Sequence, residues 1–88
     1  MAAKGYVYVV HPEGHNAYKI GCTIQPEVRL AQMQRRLDCK LVYAAVIPCD
    51  DQYRLESQLQ MRFSRKALSG DWFALSLADV EYIKGLAS

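Results

Sequence analysis

The chain has no apolar run approaching the roughly twenty residues needed to span a bilayer, which argues against a transmembrane helix. Its first residues, Met1-Ala2-Ala3-Lys4, lack the apolar segment of a secretory leader, so a cytoplasmic location is expected. Cysteine is sparse. Cys22, Cys39 and Cys49 are odd in number and form no C-x-x-C pair, which favours three reduced thiols over a disulfide framework or a structural zinc site. His11 and His15 straddle Pro12 and Gly14, so no helix face presents both to a metal. No sign of charge dominates: eleven Lys plus Arg stand against nine Asp plus Glu, a mild basic excess that does not by itself define a partner. Internal repeats, low-complexity tracts and linkers are absent as well.

What is present suits one small fold. With 88 residues, 51% of them apolar, the chain reads as a single domain over 1–88 with a core small enough to gain from a homodimer. Gly5 to Val10 is rich in Tyr and Val and reads as a strand. Tyr6, Tyr8 and Val10 share one side of it and Val7 and Val9 the other, the pattern of a central strand covered on both faces. Pro12 and Gly14 end it in a loose turn. In the next short extended run, Ala17 to Cys22, Lys19 shares a face with Gly21, and Tyr18 with Ile20. Gly21 marks a place where another backbone or a ligand comes close.

Thr23 or Gln25 is the expected cap of a first helix, Pro26 fits its first turn, and Val28 or Leu30, then Met33 and Leu37, form its inward stripe. Arg29 borders that stripe. Leu41 to Ile47 reads as a third strand ended by Pro48. Asp50 or Asp51 caps a second helix whose Leu55, Leu59 and Phe63 step by four. Glu56 lies beside this stripe, and Gln60 one turn on is either its partner or a plain polar edge. Ser69-Gly70-Asp71 is a stop and turn, and Trp72 to Leu75 a short aromatic-apolar segment. Trp72 reads first as a core anchor, with a base-stacking platform as the alternative. Ser76 caps a last helix with Val80, Ile83 and Leu86 inward.

Four polar residues from four elements border core-facing stripes, Tyr8, Lys19, Arg29 and Glu56, and with the hairpin and both helices packed on one sheet they are expected to converge on one shallow concave face. A lone carboxylate among donors suits phosphodiester hydrolysis. A carboxylate and waters hold Mg²⁺ or Mn²⁺, an arginine fork matches two phosphate oxygens, and a phenol positions water. The clusters Arg35-Arg36 and Arg62, Arg65 and Lys66 are candidates for the DNA backbone, against the plainer reading of solvated faces.

In these residues the chain resembles the GIY-YIG nuclease superfamily, in its small phage and bacterial branch with a YKIG second motif. Gly5-Tyr6-Val7-Tyr8 stands as the first motif and Tyr18-Lys19-Ile20-Gly21 as the second. Arg29 follows eight residues after Gly21, Glu56 lies in the second helix, and Gly70-Asp71-Trp72-Phe73 forms the late pair. The resemblance implies an α+β fold with a three-stranded antiparallel sheet flanked by helices. It also implies DNA-strand cleavage with one divalent ion, Mg²⁺ or Mn²⁺. Tyr8 would assist the attacking water, Arg29 stabilise the pentacoordinate phosphate and Glu56 hold the metal.

The chain departs from the pattern twice. Lys19 stands where the second tyrosine belongs, so either a bulge turns Tyr18 into the site or Lys19 supplies a cation in place of the phenol. Met33 stands where some members carry a histidine one turn after the arginine. Two other functions stay open: a nucleic-acid-binding module that does not cut, and a structural or regulatory domain.

Overall fold

The computed structural model describes residues 4–87. A five-stranded antiparallel sheet forms its centre, with strands β1 (Gly5–Pro12), β2 (Tyr18–Thr23), β3 (Leu41–Cys49), β4 (Ala67–Ser69) and β5 (Trp72–Phe73) in the order β3-β1-β2-β5-β4. Helices α1 (Pro26–Gln34), α2 (Gln52–Arg62) and α3 (Leu77–Gly85) complete a mixed α+β fold. Among the described residues no helix is long and apolar enough to cross a membrane.

The three expected strands form the β3-β1-β2 part of the sheet. The expected count of three is corrected to five by β4 and β5, a short hairpin turning at Gly70, whose φ of 57° suits glycine. Strands of three and two residues are too short to show a period of their own. They exist because Phe73 pairs with Tyr18 and Trp72 with Lys19 on the outer side of β2.

β1 is central and its alternation separates two cores. Val7 and Val9 face α2 and α3, where Ile20, Ala45, Ile47, Leu59, Phe63 and Ile83 close a large apolar cluster. Tyr8 and Val10 face α1, where only Leu41 joins them fully buried, with Leu30, Met33, Tyr43 and Val46 packed alongside. A bulge keeps β3 in step with this division. Val9 opposes Ala45 and Val10 opposes Tyr43, so Ala44 is the extra residue.

α1 ends at Gln34, short of the expected Leu37. The amide groups of Arg36 and Leu37 bond back three residues, to Met33 and Gln34, tightening the last turn. The Gln34 side chain turns out of the helix to donate to the Cys39 carbonyl at 2.7 Å and accept from the Leu41 amide at 2.8 Å. Leu37 is left 40% exposed and Val28 48% exposed, so Leu30 and Met33 are the residues that pack inward. Gln25 is the residue before α1 and makes no side-chain cap. The Thr23 hydroxyl instead accepts from the Gln25 amide at 3.1 Å, and the Tyr43 hydroxyl donates to the Pro26 carbonyl at 2.7 Å.

β3 continues through Pro48 to Cys49, because an edge strand tolerates a missing amide donor. Asp51 caps α2 by accepting from the Arg54 amide at 3.1 Å, and Ser76 and Asp79 form a reciprocal capping box on α3.

Candidate active site

Period-two alternation puts Tyr8, Lys19 and Gly21 on the α1 side of the sheet, because Tyr8 pairs with Gly21 and Val10 with Lys19 in unbroken register. Gly21 has a steric reason to be glycine: a Cβ there would lie 2.4 Å from the Tyr8 hydroxyl oxygen and 2.5 Å from the carbon bearing it. The notch lets the Tyr8 ring lie flat across β2 with only 1% of the residue exposed. Its hydroxyl donates to the Met33 sulfur at 3.8 Å and accepts from Arg29 Nε at 3.5 Å. That bond to Tyr8 is the largest influence on the guanidinium and raises its pKa, so its positive charge is secure. Arg29 Nη1 also donates to Gln32 at 3.5 Å. Tyr43 stands against Tyr8, ring centres 5.5 Å apart, and burial pushes its phenol up to about 12.

Two connected hollows open beside Arg29. One, of about 440 Å³, is walled by Arg29, Gln32, Met33, Arg35 and Arg36. The other, of about 280 Å³, brings Lys19, Arg29 and Arg36 around an apolar floor that includes Val10, Met33 and Trp72. Cations from β2 and α1 thus share one groove. The acid beside them is Asp71, exposed, whose carboxylate accepts from Lys19 Nζ at 3.2 Å and from Gln60 at 3.3 Å. Asp71 stands in the late Gly70-Asp71-Trp72-Phe73 motif, but from the sequence it reads only as a turn residue with no place in this network. It arrives through the pairing of β5 with β2.

Tyr18 is corrected. β2 pairs with β1 without a bulge, so Tyr18 faces away from Tyr8 and is buried in the α2/α3 core beside Ile20 and Phe73. Its ring packs 4.8 Å from that of His11. The α1 side receives Lys19 instead. Trp72 is corrected too: it belongs to neither core and half-exposes its indole in the groove, while its neighbour Phe73 takes the core position.

Glu56 is corrected: it does not join Tyr8, Lys19 and Arg29 on one face, because α2 packs on the far face of the sheet, where Glu56 lies next to Cys22. One turn on, Gln60 donates to the Ile20 carbonyl at 3.0 Å, fastening α2 to β2. Among the described residues β5 pairs with β2 only at Tyr18 and Lys19, and the Ile20 amide donates to the Asp71 carbonyl at 3.0 Å. Burial first, and the Glu56 carboxylate second, push the Cys22 thiol from 9.0 up to about 11, so it remains protonated at neutral pH. Among the described residues no three His, Cys, Asp or Glu side chains gather as a metal site.

The basic cluster after α2 divides in another way. Arg62 stacks over the Tyr82 ring at 3.9 Å and Lys66 pairs with Asp79, contacts that tie both to α3. Arg65 is exposed beside them. These three are not in the Arg29 groove, whereas Arg35 and Arg36 are.

A five-stranded sheet with a cation-rich groove on its α1 side and Glu56 on its α2 side defines a small mixed α+β domain. Over residues 5–87 the chain matches the model of the T5orf172 domain, and it belongs to that family. The chain matches no curated protein and no solved structure.

Proposed function

We propose that this T5orf172 domain is an endonuclease of the GIY-YIG type that hydrolyses a DNA phosphodiester bound at the Arg29 groove. The observation that carries the reading is the union of Tyr8, Arg29 and Lys19 on one face. A guanidinium held by a buried phenol over a glycine notch, with an ammonium in the same groove, suits a phosphate with two charged oxygens. Arg29 takes these oxygens and stays charged as negative charge grows on them. Lys19 exchanges its exposed partner Asp71 for the nucleic-acid backbone, a small loss because such surface pairs contribute little. Water attacks phosphorus, one phosphorus–oxygen ester bond breaks, and the leaving oxygen takes a proton.

Glu56 fits a hard divalent ion. Its carboxylate offers oxygen, its neighbour Cys22 is held as a neutral thiol, and Mg²⁺ commonly binds one or two carboxylates with water and phosphate filling the rest. When bound, Mg²⁺ or Mn²⁺ supplies Lewis-acid stabilisation of charge on the phosphate.

A second reading has its own support. Tyr8 is sealed from solvent and gives its proton to Met33, a thioether that cannot relay it, while Lys19 takes the place of a second phenol. Both features favour a domain that holds nucleic acid without cutting.

Supercoiled plasmid separates the two. Nicking by the wild-type protein with Mg²⁺ or Mn²⁺, lost in Glu56→Gln and in Arg29→Ala, is the expected result. DNA binding should persist in Glu56→Gln and weaken in Arg29→Ala. A salt-dependent complex with no nicking in either metal decides for the binding module. Nicking that survives Glu56→Gln removes the assignment.

A further inference from the structure

The smaller hollow differs from the basic groove it adjoins. Its floor is apolar, with Val10, Met33 and Trp72, and its rim carries Lys19, Arg29 and Arg36. We propose that it receives one unpaired nucleotide, so that the substrate is DNA bearing an unpaired or displaced strand. The inference rests on the nucleic-acid reading above and narrows it.

Three observations converge. Trp72 is the chain's sole tryptophan, yet it packs into neither core. Pairing with Lys19 holds its indole on the groove side, while Phe73 anchors the same strand from behind. An apolar floor beneath cations matches a nucleotide, whose base is apolar on its faces and whose phosphate is charged. At about 280 Å³ the hollow is on the scale of a single nucleotide. A perfect duplex presents phosphates and groove edges but keeps its base faces stacked. Offering a face costs unstacking energy, which is least where the base is already unpaired.

The sole tryptophan makes the test direct. Wild-type protein in EDTA, where no strand is cut, is titrated with two labelled DNAs. One is a perfect duplex; the other is the same duplex with a short unpaired flap. DNA anisotropy reports binding and tryptophan emission reports stacking. The flapped DNA is expected to bind roughly tenfold more tightly and to quench Trp72, because a stacked base is worth about five- to a hundredfold in affinity. Trp72→Leu should erase the preference for the flapped DNA, bringing its affinity to that of the duplex. Trp72→Phe, which keeps a stacking ring and packs conservatively, should retain most of it. Equal binding of both DNAs without quenching overturns the inference and leaves the nuclease reading standing. Failure to bind either DNA overturns both.

Discussion

On one face of the sheet Val7, Val9 and Ile20 meet two helices; on the other, Tyr8 and Val10 meet one. The first interface is almost wholly apolar and joins twelve buried residues. The second has three, one of them a phenol whose hydroxyl is shared with a guanidinium. Polar fastenings do much of the holding there, including Tyr43 to the Pro26 carbonyl and Gln34 to Cys39 and Leu41. A small domain can therefore concentrate its hydrophobic stabilisation behind the sheet. The front is then free to hold charged side chains that an apolar core would exclude.

The largest expected effect tests the back face. Phe63→Ala removes a buried ring from the α2/α3 cluster and should cost about 3–5 kcal/mol in urea unfolding, a large share of the stability of such a domain. Loss below about 1 kcal/mol would show that the two faces contribute more evenly than their packing implies.

The two motif glycines give the next contrast. Gly21→Ala drives a methyl into the packed Tyr8 ring and should cost about 1–3 kcal/mol, with loss of Arg29-dependent DNA binding. Gly5→Ala meets first the far end of the Gln52 side chain, at 2.4–2.6 Å, a flexible chain rather than a packed ring. It should be the milder change by chemical denaturation. The reverse order would break the idea that Tyr8 needs the notch.

Alkaline titration compares the faces with less perturbation. Cys22 ionises more readily unfolded than folded, since its pKa rises from 9.0 to about 11 on folding. Its contribution is complete below pH 9.0 and lost as pH climbs through about 11. Tyr43 behaves alike one step later, between 10.0 and about 12. Melting temperature should fall across both windows, and Cys22→Val should flatten only the earlier part. An unchanged profile in that variant would remove Cys22 as its source.

The smallest stability effect belongs to Arg36→Ala, an exposed residue expected to shift unfolding by less than about 0.5 kcal/mol. Its DNA affinity should nevertheless fall and its salt slope shrink by about one unit. Arg62→Ala is the control, since Arg62 stacks on Tyr82 away from the groove and should leave that slope unchanged.

Much of the site could be read locally. Alternation in β1 and β2 grouped Tyr8 with Val10 and Lys19 with Gly21, because neighbouring side chains on a strand point to opposite faces. Arg29 beside the inward stripe of α1 was legible from helical spacing. Tyr18 was not, since its place depended on whether a bulge existed, and β2 has none. Trp72 misled for a similar reason: an aromatic residue in an apolar segment resembles a core residue until its strand partner is known.

Residue order alone determined which side chains share a face and where helices begin, because both follow from rotations between adjacent residues. Only the tertiary structure decided that α1 and α2 lie on opposite sides of the sheet, that Glu56 stands beside Cys22 across the sheet from Arg29, and that Trp72 joins Arg29 and Lys19 in one groove. Those placements come from pairings between residues far apart in the chain, and the choice among such pairings is made by the packing of the whole core.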